Sequence, residues 1–172
     1  MRIRKLILRF IVVGFLFLAI GLVLPEELAM PVVGASSNDW SDQTFWYEPW
    51  GSSGVHKGID IFGQQNTSVI AATGGLVLYS GELSKGGNVV AILGPKWRLH
   101  YYAHLQARTV TTGRWVWGSS QIGTLGSSGN AAGKPPHLHY SILSVIPLPW
   151  KSTTDTQGWK RMFYLDPGEK LT

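Results

Sequence analysis

The chain has 172 residues, 44% of them apolar, no cysteine and a formal net charge of +5. Such a length allows a leader plus one modest core, and the missing cysteine excludes a disulfide framework, a thiolate metal site, a cysteine nucleophile and a lipid-bearing thiol. Arg2, Arg4, Lys5 and Arg9 precede the first apolar run, and from Ser36 onward eleven Lys/Arg stand against eight Asp/Glu; that excess suits an anionic envelope surface but is too dispersed for nucleic acid, which calls for clustered cations.

Residues 10–24 carry no charge, and Pro25-Glu26-Glu27 ends the run. Basic residues before and acidic residues after orient such a segment with its N-terminus in the cytoplasm. Extended back to Leu6, with Arg9 snorkelling, the run is long enough to cross a bilayer. Val33-Gly34-Ala35 offers a small-x-small cleavage signal some way beyond it. Residues 1–30 are therefore expected to be a signal peptide or a membrane anchor. The rest of the chain is expected outside the cytoplasm, at a periplasmic or extracytoplasmic face, held to the inner membrane if the leader stays uncleaved.

Residues 31–50 read as a connecting segment. Trp40, Phe45, Trp46, Tyr47 and Trp50 crowd an aperiodic stretch rich in Ser, Asn, Asp and Gly. They are expected to pack on the domain edge, with one wall of a substrate groove as the alternative. In Val55-His56-Lys57-Gly58-Ile59-Asp60-Ile61-Phe62, the glycine and the β-branched residues favour an extended strand over a helix. Even spacing then puts His56 and Asp60 on one side.

Short β-like runs follow at residues 68–72, 75–81, 88–93, 99–105, 116–118 and 121–126, divided by glycine-bearing turns. Lys96-Trp97-Arg98 reads as a solvated strand end. Ser127-Ser128-Gly129-Asn130-Ala131-Ala132-Gly133-Lys134 is loop material. Pro135-Pro136-His137-Leu138-His139-Tyr140 closes the series, and strand alternation gives His137 and His139 one face and Leu138 the core. Residues 143–150 are expected to cover a sheet edge, and Tyr164-Leu165-Asp166-Pro167 to form a closing turn. No stretch after residue 30 has the spacing and caps of a long helix. The sequence thus predicts a mainly β fold, a single antiparallel β-sheet or sandwich domain, with an N-terminal hydrophobic helix.

Four of the five histidines, with Asp60, fall where strands meet turns. His-Glu-x-x-His, a Gly-x-Ser-x-Gly elbow and a phosphate-cradling loop are all missing. Imidazole and carboxylate are both good zinc ligands, and a catalytic zinc needs three of them and an open position. His100 reads as a packed residue; on a regular strand it shares a face with His104, which would let it line a groove.

His56-x-x-x-Asp60, Tyr102-Ala103-His104-Leu105 and His137-Leu138-His139 resemble the three motifs of the M23 (lysostaphin/LytM-type) zinc metallopeptidases. Gly87-Asn88-Val89-Val90 and Ile122-Gly123-Thr124-Leu125-Gly126-Ser127-Ser128-Gly129 fall in the order that family would have. The resemblance covers about residues 51–142 and resumes at Asp166-Pro167, so residues 51–172 are expected to form the metallopeptidase domain. It implies His56, Asp60 and His139 as ligands of Zn2+, and His104 and His137 as the histidines that orient or deprotonate water and stabilise the tetrahedral intermediate. It implies hydrolysis of peptide bonds in cell-wall peptidoglycan, with peptidoglycan peptides as the partner, no nucleic acid, and the membrane engaged through the helix if it is uncleaved. A wall-binding regulator of another hydrolase and a peptidase of envelope proteins are the alternatives. Asn66-Thr67-Ser68-Val69 departs from the family's usual turn. Ser141 stands where many members carry an acidic residue, which leaves the orientation of the adjacent ligand open. Residues 143–163 are longer than expected and are read as a family-specific groove wall.

Overall fold

A computed structural model describes residues 2–41 and 43–171; Met1 and Thr172, the outer limits of the leader and of the expected domain, lie outside them. After helix α1 (Arg2–Val23) come ten strands: β1 (Ile59–Phe62), β2 (Ser68–Ile70), β3 (Gly75–Leu83), β4 (Gly87–Gly94), β5 (Arg98–Leu105), β6 (Ala107–Arg108), β7 (Trp115–Val116), β8 (Gln121–Thr124), β9 (His137–Ser144) and β10 (Tyr164–Leu165). A four-residue helix, α2 (Gly168–Leu171), ends the described chain. The main sheet runs β1-β9-β5-β4-β3-β7, with β10 also on β9, and a smaller sheet runs β2-β8-β6. Every pairing is antiparallel.

The core lies between the sheets. Ile59 and Ile61 of β1, Val77 of β3, Val90 and Ile92 of β4, Tyr102 of β5, and Leu138, Tyr140 and Ile142 of β9 turn one face inward and meet Val69, Ile122 and Leu125 from the smaller layer. This is period-two patterning, and each such aliphatic side chain contributes about 1.5–3 kcal/mol on burial. The other face of β5 and β9 is left for the site.

Residues 29–33 are part of this fold. Ala29 donates to the Ala72 carbonyl (2.8 Å), Ile70 to Pro31 (2.8 Å) and Val33 to Ser68 (3.1 Å), so the segment edges the smaller sheet. Val32, 1% exposed, joins the core.

The structure departs from the sequence expectation at four places. Strand β1 begins at Ile59, so His56 precedes it. Lys96-Trp97-Arg98 is not merely a solvated end: Trp97 Nε1 donates to the Leu18 carbonyl at 2.9 Å, and Arg98 pairs with the buried Glu26 carboxylate. Tyr164-Leu165, expected in a closing turn, is instead strand β10, which pairs with β9 and prolongs the β1 side. Residues 143–163 do not line the cleft; Trp46 Nε1 donates to Thr156 O (3.1 Å) and Gln157 Nε2 to Ser53 O (2.9 Å), so this segment braces the true wall from behind.

Candidate functional site

A cleft of about 420 Å³ opens on the outer face of β5 and β9. One wall is the turn from Pro49 to Ser53, and Lys57, Lys85 and Lys134 reach its rim from three separate segments. Tyr101, Ala103, His104, His56 and His139 lie in it. The expected packing role of the early aromatics is divided: Trp40 and Trp46 are buried, whereas Trp50 stacks on His56, with ring centroids 4.0 Å apart and 25° between planes.

Asp60 and His139 are directly opposed across the β1–β9 pair. His56 reaches them from the turn before β1. Three donor atoms converge: His56 Nε2 lies 2.9 Å from His139 Nδ1 and 3.1 Å from Asp60 Oδ1, and His139 Nδ1 lies 2.9 Å from the same oxygen. Gly58 makes the approach possible. A Cβ there would run into the Tyr140 carbonyl, the Ser141 hydroxyl and the His139 ring.

The protons are assigned by the outer contacts. His56 Nδ1–H donates to the Thr44 carbonyl at 2.9 Å, which leaves Nε2 as a bare lone pair facing the other two donors. His139 presents Nδ1 instead, and its Nε2 lies 3.0 Å from Ser141 Oγ, which can accept the ring proton. The serine thus provides the orienting contact that an acidic residue would otherwise make. Burial would raise the Asp60 carboxyl, but the imidazoles of His139 and His56 outweigh it and hold it well below the usual carboxylate range. Burial lowers His139, against the opposing pull of Asp60.

This triangle fits a divalent metal. A tetrahedral zinc with bonds of about 2.0–2.1 Å holds its ligand atoms about 3.3 Å apart, so the donors need move only a few tenths of an ångström. Two imidazoles and a carboxylate are the donor chemistry zinc takes.

His104 reaches the cleft through a backbone irregularity. Asn88 pairs with Leu105 and Val90 with Tyr102, so Val89 is opposed by two residues, Ala103 and His104. Strict alternation from the buried Tyr102 would send His104 into the core. Its φ of 65° instead turns it outward, beside Tyr101 and Ala103. A left-handed conformation costs a non-glycine residue about 1–2 kcal/mol, and bulges beside sites commonly re-aim a side chain in this way. Here His104 N–H donates to the Gly86 carbonyl (2.8 Å) and fixes the turn.

His104 Nδ1–H donates to Ser128 O at 2.9 Å, and His137 Nδ1–H to Pro135 O at 2.8 Å. Each contact therefore leaves the ring's Nε2 clear of the backbone. The two rings are 5.1 Å apart, and that of His104 lies 6.1 Å from that of His139. Burial lowers His104 to about 4, helped by His137 and His139, with the Ser128 carbonyl opposing; it is neutral at pH 7.

All five sequence-derived site residues thus meet. His100 does not join them. It lies on the core face, its Nδ1 2.7 Å from Tyr140 Oη and its Nε2 3.4 Å from Glu26. The bulge at His104 is why the two do not share a face. The sequence reading missed Tyr101 and the orienting carbonyls of Thr44, Ser128 and Pro135. Tyr101 was within reach, since it lies two residues before Ala103 on the same strand.

With its antiparallel main sheet, the smaller sheet beside it and this cluster on the outer face, the molecule has the architecture of an M23 peptidase. Residues 54–147 match the profile of peptidase family M23, and the chain belongs to that family. It is 35% identical over 136 residues to the L-Ala–D-Glu endopeptidase of Bacillus subtilis, a match covering 74% of this chain and 41% of that protein. It is 33% identical over 105 residues to the murein hydrolase activator NlpD of Escherichia coli, covering 60% of this chain and 27% of that protein. The catalytic domain of the antimicrobial peptidase lysostaphin from Staphylococcus simulans superposes with a TM-score of 0.61 at 25% identity, covering 80% of this chain and 98% of that one. The chain therefore spans less than half the length of these two curated relatives.

Proposed function

We propose that the protein is a zinc-dependent endopeptidase that hydrolyses peptide bonds in cell-wall peptidoglycan, in the stem peptide or a cross-link. The observation that carries this reading is the meeting of His56 Nε2, His139 Nδ1 and Asp60 Oδ1 at mutual distances of 2.9–3.1 Å, with both histidines lining an open cleft. His56, Asp60 and His139 would hold the metal. Zinc bound there would supply Lewis-acid polarisation of a scissile carbonyl and acidify water near neutral pH.

The rest falls to the chain's own groups. His104, neutral and with its Nε2 unprotonated, accepts the proton of the attacking water. The imidazolium so formed on His104 returns that proton to the departing amine, and His137, beside it, stabilises charge as the carbonyl becomes tetrahedral through its Nε2 when that nitrogen carries a proton. Trp50 and the turn from Pro49 to Ser53 shield one side of the cleft. The peptidase unit is assigned to residues 51–172, outside the cytoplasm, with residues 29–33 as an edge segment and α1 as its leader or anchor.

A second reading, a regulator of another wall hydrolase, draws on the likeness to the murein hydrolase activator. The test is digestion of purified peptidoglycan by the full chain in detergent, with zinc and with a chelator, and mass analysis of the products. Chelator-sensitive release of peptide-cleaved fragments is expected. A folded, zinc-loaded chain that releases nothing alone, yet stimulates a separate wall hydrolase, overturns the enzyme in favour of the regulator.

A further inference from the structure

Helix α1 is apolar enough over Ile3–Val23 to cross a membrane, and its flanks are almost wholly exposed. It is nonetheless in contact with the β domain. The ring of Trp97 lies against Gly21, where no Cβ would fit, packs on Phe17 at a centroid distance of 4.9 Å and donates Nε1–H to Leu18 O. Leu18 is five residues before the end of α1, about 7–8 Å along the axis at 1.5 Å per residue. A tryptophan joined to the helix at that depth enters the outer layer of any bilayer the helix crosses over Ile3–Val23, just beneath the headgroup level at which tryptophan is enriched.

Its surroundings suit that boundary. Lys96 precedes Trp97 and, with Lys151 and Arg98, lies close enough to Lys170 to help burial lower its ammonium, with Glu169 opposing. Val145, 60% exposed, donates its N–H to Trp97 O, and Trp150, 77% exposed, adjoins Lys151. Arg98 is occupied by the buried Glu26 carboxylate, 3% exposed, and Lys170 comes within 4.0 Å of the same group, which leaves Lys96 and Lys151 as the cations of this end outside that cluster. Buried apolar rings, exposed aromatics and lysines beside a spanning helix are what an anionic lipid surface binds.

We infer that this end of the domain docks on the anionic headgroups of the bilayer that α1 spans, through Lys96, Trp97, Trp150 and Lys151. The docking fixes the site's height. Strand β5 starts at Arg98, beside the helix, and reaches His104 six residues later, about 20 Å at the rise of a β-strand. Strand β9 runs the opposite way, with Ser144 at the membrane end and His137 at the cleft. The cleft is thus held away from the lipid and open to a polymer lying above the membrane, instead of being buried against it.

The test uses the full chain in nanodiscs of phosphatidylcholine alone and of phosphatidylcholine with phosphatidylglycerol. Lysines are labelled briefly with a membrane-impermeant acylating reagent and quantified by peptide mass spectrometry. Labelling of Lys96 and Lys151 is expected to slow at least five-fold in the anionic discs. Lys57, Lys85 and Lys134 at the cleft serve as internal controls and are expected to label equally in both. Equal rates for Lys96 and Lys151 in the two lipids, or slowing of the cleft lysines instead, overturn the inference. A chain that folds but is not retained in the discs overturns it as well, since nothing then brings Trp97 to a bilayer. A Lys96→Glu variant, distant from the cleft, is expected to remain in the discs and to lose the difference at Lys151.

Discussion

His56 Nε2 and His139 Nδ1 face one another at 2.9 Å, with the Asp60 carboxylate closing the triangle. The His56 ring proton is committed to the Thr44 carbonyl on the far side. Neutral imidazoles then leave at most one proton, that of His139, among three acceptor atoms. A divalent cation would satisfy all three at once, with the one proton of His139 carried on Nε2 against Ser141 Oγ.

Loss of a ligand and loss of a base should therefore separate. His139→Ala and His56→Ala are expected to lose bound zinc, measured as metal per chain after dialysis. His104→Ala is expected to keep zinc and lose about 10²–10⁴-fold in turnover, the usual worth of a positioned general base. Full zinc occupancy in the His139 variant would refute the ligand assignment.

Ser141→Ala removes the acceptor for the outer nitrogen of His139. Metal affinity is expected to fall by about 10–100-fold, as for other contacts that orient a liganding imidazole. Competition with a zinc-binding dye measures it. Ser141→Asp should restore affinity, whereas an unchanged constant in Ser141→Ala would show that strand β9 alone fixes the ring.

Gly58→Ala places a methyl group against the Tyr140 carbonyl and the His139 ring. Part of that obstacle is backbone, so the turn carrying His56 must move. Overpacking of this kind costs about 1–3 kcal/mol. Chemical denaturation should report that loss together with weakened zinc binding. A variant as stable and as tightly metallated as the parent would contradict the close approach.

His100 offers a pH prediction outside the cleft. Burial, with Arg98 and Lys170 nearby, lowers it from an ordinary 6.5 to about 3. In the unfolded chain it takes up a proton as the pH falls through 6.5, while in the folded chain it does not until about 3. Stability is then lost as pH falls across that window, with a slope of up to about 1.4 kcal/mol per pH unit from this one group. Unfolding free energies of the parent and of His100→Gln at pH 7.5 and pH 5 test it. The variant is expected to show the shallower dependence, and equal slopes would mean that His100 titrates alike in both states.

Three lysines at the rim of the cleft, Lys57, Lys85 and Lys134, favour a substrate bearing carboxylates. Lys85→Glu is expected to raise KM with little change in kcat. The parent's advantage should shrink as salt screens it. A KM indifferent to both charge and salt would remove the rim from substrate selection.

The sequence by itself was enough for the β class and an apolar N-terminal helix, and it named five residues that the structure brings together. Strand alternation alone put His137 and His139 together with Leu138 inward, because period two is a local property of the chain. The spacing of His56 and Asp60 pointed to one side even though the strand was drawn too long, since Gly58 and the turn before β1 bring His56 round to Asp60 by another path. What alternation could not supply was His104. Its side chain reaches the cleft only because two residues of β5 oppose Val89 of β4, a mismatch between strands that neither strand records alone. The same holds for the ring protons, which are fixed by carbonyls of Thr44, Ser128 and Pro135 that any residue could have provided. Residues 143–163 looked like a groove wall for their length and brace one instead, and Lys96-Trp97-Arg98 looked like a solvated end and instead grips α1. Side-chain type and local period are written in the sequence. Which partner a backbone group or ring meets depends on chain segments far apart in sequence, and only their packing decides it.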